Sequence, residues 1–449
     1  MTRRLQVRGA AGLGLAVTLS LVASACGGGG SPAGSHGGAG TTAGGSSSGH
    51  PFNVVVFDTL SGTEASFTPE DIASTNAAAD VINAAGPPLG HKITVSVFNS
   101  YDDPADSTTA ARHMLATEKN VLCVVGPQTL PAPAVDPILN AGGYPFFSES
   151  GDPATNVNHF AYYWRNQPAD NVEGYALAIW GHQKGFTKAA AVFSNQSGSG
   201  EVPDLVKGFT KLGGKIVLND TVVLDQTSYR TEVSKLLASK PQVIFNELDA
   251  QSAATFFSEL QQQNHGQMLP VIDDGYLISY PPTLQSVRKV VGASQLAQYW
   301  QGVEIVGATD TPGWKQYNHA LSVLKVVKDP LQYNNDPYAQ GGYDGVMTTS
   351  LAAIASKSDN PQVINEWIPK VTAPGKGKTV VYTYAAGKAA LDAGKSIQYV
   401  GVGGPELYDQ YHNSQLPFQA AAVQPDGTTK IVGEVSQKEL ARFTGATKG

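Results

Sequence analysis

"NVVVFDTLSGTEASFTPEDIASTNAAADVINAAGPPLGHKITVSVF", residues 53–98, carries two apolar runs on either side of a helical stretch. "NVVVF" (53–57) and "KITVSVF" (92–98) read as strands. Between them "PEDIASTNAAADVINAAG" (69–86) has apolar residues at helical spacing, Pro69 near its start and Gly86 at its end. Strand, helix and strand in this order form a βαβ unit, which sets its two strands parallel with a right-handed crossover.

The unit repeats outward along the chain. "DSTTAARHMLATE" (106–118) reads as a helix, "NVLCVVG" (120–126) as a strand, "PAPAVDPILNAGG" (131–143) as a helix and "YPFFSE" (144–149) as a strand. After "YYWRNQP" (162–168) a second series begins. Helices over 170–184, 201–212, 230–239 and 250–263 alternate with strands "KAAAVFS" (188–194), "KIVLND" (215–220), "QVIFNEL" (242–248) and "LPVIDDG" (269–275). Two such series predict an α/β protein of two doubly wound parallel-sheet lobes. Beyond them the pattern predicts a strand at 301–307, helices at 313–327, 338–356 and 360–370, and a strand-rich tail from about Ser396. A tail that long must complete one or both lobes, so more than one segment must cross between them.

Composition agrees with two folded domains: 449 residues, 41% apolar and 15% charged. Residues 1–25 have a basic start (Arg3, Arg4, Arg8) and an interrupted apolar stretch from Ala10 to Val22, which is the pattern of a signal peptide. Setting those three arginines aside takes the formal charge from −7 to −10, which argues against nucleic acid or an anionic membrane surface as partner. Ala23, Ser24 and Ala25 before Cys26 resemble a bacterial lipobox, with Ala23 where leucine is usual. That resemblance implies a lipid on Cys26 and an anchored protein on the extracytoplasmic face of the bacterial cell membrane; plain secretion and an uncleaved anchor are the alternatives. The Gly/Ser-rich stretch that completes residues 26–50 cannot bury apolar area and reads as a tether. No later run is long and apolar enough to span a bilayer. Cys123, inside "NVLCVVG", reads as a small core residue with no disulfide partner.

Open parallel sheets bind ligands outside the carboxyl ends of their strands. In the first lobe those ends supply Gln128 and Thr129, then Ser148, Glu149 and Ser150, whose hydroxyls and neighbouring amides suit an acceptor-rich group; helix capping and turn formation are the plainer reading. In the second lobe they supply Ser197 and Ser199, then Glu247, Asp249 and Gln251, then Asp273, Asp274 and Tyr276, a set suited to a cation, an amide or ligand hydroxyls. Capping explains Asp249 equally well.

Signs of catalysis are poor. The nine histidines include no H-E-x-x-H and no pair at metal spacing. "GKGKT" (375–379) has Thr372 where a phosphate-binding loop needs glycine. "GSSSG" (45–49) matches a nucleophile elbow in letters only, since no strand precedes it. A secreted hydrolase using Asp273 and Asp274 is disfavoured because adjacent strand residues point to opposite faces. Neither cofactor nor metal is expected.

The chain from about 52 to 435 resembles the type I periplasmic binding proteins of the leucine, isoleucine and valine-binding group, receptors of ABC importers. The marks are "LSG" (60–62), "INAAGPPLGHKITV" (82–95), "YDDPAD" (101–106), "VVGP" (124–127), "WRNQPAD" (164–170), "SGSG" (197–200), "YAQGGYDGV" (338–346) and "AGKSIQYVGVGGPELYD" (393–409). The resemblance implies two lobes joined by three hinge segments and a small polar ligand held between them. Lobe 1 would comprise 51–166 and 277–396, and lobe 2 167–276 and 397–449.

In the amino-acid binders of that group the first lobe holds the ligand carboxylate, and the matching positions are Gln128 or Thr129, Ser148, and Ser150 or Gly151. An aromatic residue that caps the cleft falls near Phe67. Ser197 stands where a tyrosine is usual, and Gln251 lies nearest the acid that holds the ammonium group; Asp249 or Asp274 could supply the missing charge. These departures weigh against a branched-chain amino acid and leave an amide, a urea-like molecule or a small organic acid as alternatives to an amino acid. The expected partners are that ligand and an ABC permease, with the chain acting as a monomer. The same fold serving as a ligand sensor is the alternative.

Overall fold

The computed structural model describes residues 49–444 apart from 168, 196–199, 276–280 and 306–308. The expected signal peptide, Cys26, most of the expected tether, Ser197 and Tyr276 therefore lie outside the described residues.

The opening βαβ unit is present as β1 (Phe52–Asp58), α1 (Thr68–Ala85) and β2 (Ile93–Asn99). It continues through α2 (Pro104–Thr117), β3 (Val121–Val125), α3 (Ala132–Gly142), β4 (Phe146–Phe147) and β5 (Tyr163–Trp164). All five strands are parallel, in the order β2-β1-β3-β4-β5. Every residue of β1 is buried, as a central parallel strand covered on both faces requires.

The second series is α4 (Asp170–Gln183), β6 (Lys188–Ser194), α5 (Val202–Lys211), β7 (Lys215–Val222), α6 (Arg230–Ser239), β8 (Val243–Glu247), α7 (Ala250–Gln263) and β9 (Val271–Asp273). Next come α8 (Pro281–Val291), α9 (Ala293–Tyr299) and β10 (Trp300–Glu304). After these stand α10 (Pro312–Val323), α11 (Pro337–Ser356), α12 (Pro361–Thr372), β11 (Thr379–Val381), α13 (Tyr384–Asp392) and β12 (Ile397–Tyr399). The chain ends in β13 (Phe418–Val423), β14 (Thr429–Val435) and α14 (Gln437–Thr444). The second sheet has the order β14-β13-β10-β9-β8-β6-β7, parallel from β10 to β7 and antiparallel at β13 and β14.

Each sheet is sandwiched. On one side of the first, Val54, Ala77, Ile82, Met347 and Leu351 pack together; on the other, Val55, Phe57, Met114 and Leu139 do. In the second sheet Val192, Phe256 and Trp300 fill one side and Phe193, Leu177 and Phe245 the other. Helix α11 is buried nearly all round, which a helix with apolar and small residues on every face permits. At Gly345 a Cβ would lie 2.8 Å from the Phe147 ring, so only glycine allows this approach to the sheet. Cys123 is fully buried and burial pushes its thiol up to about 12, in keeping with a packing role.

The lobe boundary expected at 277 is corrected by strand pairing. β10 pairs in parallel with β9, so 281–304 completes the second sheet before the chain returns to the first. Residues 397–399 pair with β11, and Ile397 and Tyr399 pack in the first-lobe core, so they stay with that lobe. The sequence pattern predicts no strand at β5 and does not mark α8, α9, β11 or α13. Among the described residues no helix is long and apolar enough to cross a membrane.

Candidate ligand-binding site between the sheets

The chain passes between the sheets after β5, after β10 and between β12 and β13. Two of these passages run side by side. The Arg165 N–H donates to His412 O at 3.1 Å, and the Ser414 N–H donates to Arg165 O at 2.9 Å. Trp164 stacks on the His412 ring at 3.9 Å, and the Tyr408 hydroxyl donates to Asn166 Oδ1 at 2.7 Å. The stretch "WRNQPAD" stands out in the sequence as a mark; in the structure it ties two crossing segments together.

The first-lobe wall stands on the loops after β1, β3 and β4. Gln128 is buried, and its Oε1 accepts from the Thr59 N–H at 3.4 Å. Ser148 and Ser150 are buried as well. The Ser148 hydroxyl makes long bonds, donating to Pro127 O at 3.5 Å and accepting from the Ser150 N–H at 3.4 Å, and it also meets the Tyr163 hydroxyl. The Ser150 hydroxyl accepts from the Asp152 N–H at 3.2 Å. Thr129 is half-buried, and so is Phe67 at the start of α1. Next to that start an open cavity of about 510 Å³ is lined by Leu60, Thr68, Ile72 and Tyr333 among others.

The second-lobe wall is acidic. Asp170 and Glu173 lie in the first turn of α4, Glu201 precedes α5, Glu247 ends β8, Asp274 follows β9 and Glu304 ends β10. Burial, then the charges of Glu201, Glu304, Asp274 and Asp170, push the Glu173 carboxyl well above its ordinary value. Burial, then Asp274, Asp170, Glu247 and Glu304, do the same to Glu201. Burial raises Asp170 to about 7 against the opposing pull of the Arg165 guanidinium. Tyr338, in the first turn of α11 on the first-lobe side, is raised by burial and then by Glu173, Glu304, Asp170 and Asp274, so these acids face the other lobe.

The two walls meet at Asp170. Its N–H donates to Gly151 O at 2.9 Å, and a Cβ on Gly151 would lie 1.6 Å from its Oδ1. The buried Arg165 backs this junction, donating to Ser150 O at 3.2 Å and to Thr155 Oγ1 at 3.1 Å.

The expected second-lobe residues separate. Asp274 belongs to the acidic wall, whereas Gln251 is exposed in the first turn of α7. The Asp249 carboxylate accepts from the Ser252 N–H at 2.8 Å, so it caps α7. Glu173, Glu201 and Glu304 were not anticipated. Glu304 had a signal in the sequence, an acid inside the apolar run "QGVEIVG"; Glu173 and Glu201 stand next to helix starts, where an acid usually signals only a favourable helix dipole. Hydroxyls and amides on one wall and carboxylates on the other can grip a polar molecule from two sides.

Two doubly wound sheets, three crossings and a polar junction between strand ends define a two-lobed binding protein. The sequence profile of the periplasmic binding protein family matches residues 51–427, and the chain belongs to that family. Solved structures with this fold include a branched-chain amino acid substrate-binding protein from Streptococcus pneumoniae in complex with isoleucine (19% identity, 85% of this chain and 99% of that one, TM-score 0.65). A leucine-binding protein from Thermotoga maritima is similar (14% identity, 86% and 99%, TM-score 0.66), as is a solute-binding protein from R. palustris in complex with 4-hydroxybenzoate (17% identity, 89% and 100%, TM-score 0.67). No curated protein matches the sequence.

Proposed function

We propose that this chain is the extracytoplasmic solute-binding lipoprotein of an ABC importer, and that it captures a small polar ligand between its two lobes without transforming it. The observation that carries the reading is the junction at Asp170, where the acidic strand ends of one sheet meet the hydroxyl-bearing strand ends of the other beside paired crossing segments. Contacts to both walls favour the closed arrangement over the open one, which is how such a protein signals occupancy to a permease.

The acidic wall supports a ligand with an ammonium, amidinium or amide group directed at lobe 2, and the Ser148 and Thr129 wall supports an acceptor group directed at lobe 1. An amino acid or a related amide or organic acid has these features. Protein freed of carried-over ligand and screened by thermal melting against amino acids, amides, ureas and aromatic acids tests the reading. A true ligand at 100 times its dissociation constant adds about 2.7 kcal/mol to stability. No shift across the panel would remove the receptor reading, and turnover of a bound compound would replace it with an enzyme. Lipidation is tested by Cys26→Ser, which should release the protein from membranes with ligand binding unchanged.

A further inference from the structure

Three carboxylates meet inside the first lobe, away from the acidic wall of the second. Asp58 ends β1, Asp71 lies in the first turn of α1, and Glu149 follows β4. Asp58 and Asp71 are fully buried and Glu149 is 7% exposed. One carboxylate oxygen from each lies within 4.8 Å of the other two. Both oxygens of Asp58, both of Asp71 and Oε1 of Glu149 are buried, and among the described residues no N–H or hydroxyl group meets them. The ion pairs among the described residues bring no lysine or arginine to any of the three.

Buried carboxylates cost free energy unless a donor or a cation compensates them. The backbone comes close to Asp58: a Cβ on Gly126 would lie 2.4 Å from its Oδ1, so no side chain fits at that position. Thr75, one turn after Asp71 on the same face of α1, has a buried hydroxyl that also lacks a partner among the described residues.

We infer that Asp58, Asp71 and Glu149 form a binding site for one hard divalent cation, Ca²⁺. Oxygen-only donors select hard cations over zinc or copper. Ca²⁺ takes its oxygen ligands at roughly 2.3–2.6 Å and tolerates irregular geometry, which carboxylates from three separate elements supply more readily than the strict octahedron that Mg²⁺ demands. Glu149 sits between Ser148 and Ser150, so a bound ion would brace the first-lobe wall from beneath. The competing arrangement is a triad that holds shared protons and takes no metal. Burial and mutual repulsion raise all three carboxyls, as they would in either case before an ion enters.

The test uses the protein stripped with chelator and returned to metal-free buffer. Calorimetric titration with CaCl₂ should show one site per chain, with a melting temperature raised by several degrees and a weaker response to MgCl₂. Asp71→Asn and, separately, the near-isosteric Glu149→Gln should each weaken Ca²⁺ binding tenfold or more while melting cooperatively without metal. Folded wild-type protein that gives neither heat nor a melting shift with millimolar CaCl₂ would overturn the inference, whatever the variants do. Unchanged affinity in both variants would overturn it too, by moving the ion to a surface site.

Discussion

The backbone N–H of Asp170 donates to the carbonyl of Gly151 at 2.9 Å, and the Asp170 carboxylate occupies the space that a side chain on Gly151 would need. The pair joins the loop after β4 in one lobe to the first turn of α4 in the other. Gly151→Ala should therefore destabilise the protein by about 1–3 kcal/mol, the usual cost of overpacking. In an Asp170→Ala background the same change should cost clearly less, because its obstacle has gone. Denaturant melts of the four proteins form a double-mutant cycle, and additive losses would show that the two residues do not share this space.

Asp273 and Asp344 are two of the buried carboxyls, Asp170 among the others, that set a pH dependence of stability. Burial raises Asp273 to about 7, although the Trp300 indole and the Gly275 N–H donate to it. Burial raises Asp344 to about 6, against donors that include the Tyr399 hydroxyl at 2.7 Å. Groups raised on folding contribute stability below their unfolded values near 3.8, and that contribution is lost as pH climbs through about 6 to 7. Each tenfold change in proton affinity is worth about 1.4 kcal/mol, so the melting temperature should fall by roughly 5 °C between pH 5.5 and pH 8. Asp273→Asn cannot ionise and should make the fall shallower by its own share. A melting temperature that rises over this interval would refute the account.

Arg165 is a buried cation that fastens the loop after β4 through Ser150 O, Asp152 O and Thr155 Oγ1, and it lies near Asp136 and Asp170. Arg165→Ala should cost about 3–5 kcal/mol, because the acids it offsets would remain buried. Arg165→Lys keeps the charge but loses the planar fork, so it should recover only part of that loss. Equal stability of the lysine variant and wild type would show that charge alone matters here.

Periodicity made the fold legible because parallel strands buried on both faces stand out as short apolar runs between helical stretches, as at "NVVVF" and "NVLCVVG". It missed the short strands at Tyr163–Trp164 and Thr379–Val381, where alternation has few residues in which to register, and also the helices at Pro281–Val291, Ala293–Tyr299 and Tyr384–Asp392. The crossings were harder still. Whether 281–304 joins one sheet or the other depends on pairing between β10 and β9, a long-range choice that no local pattern carries. The acidic wall was only half legible. Asp274 follows a strand, where ligand groups are sought, whereas Glu173 and Glu201 reach the junction from helix starts, brought there by the packing of α4 on α5.

The remaining expectation concerns which strand-end residues touch ligand, and the local bonding separates them. Ser148 has a buried hydroxyl whose bonds to Pro127 O and the Ser150 N–H are long, so a ligand acceptor can compete for it. Asp249 is already engaged at 2.8 Å as the cap of α7, and Gln251 faces solvent. Ser148→Ala combined with Thr129→Ala should weaken binding of the ligand found by screening about tenfold or more, with little change in melting temperature. Asp249→Ala should do the reverse, costing about 1 kcal/mol of stability through the lost cap while affinity stays unchanged. Gln251→Ala should alter neither. Calorimetric titration beside denaturant melts distinguishes these outcomes, and an affinity that falls with Asp249→Ala but not with the serine and threonine changes would move the binding surface onto α7.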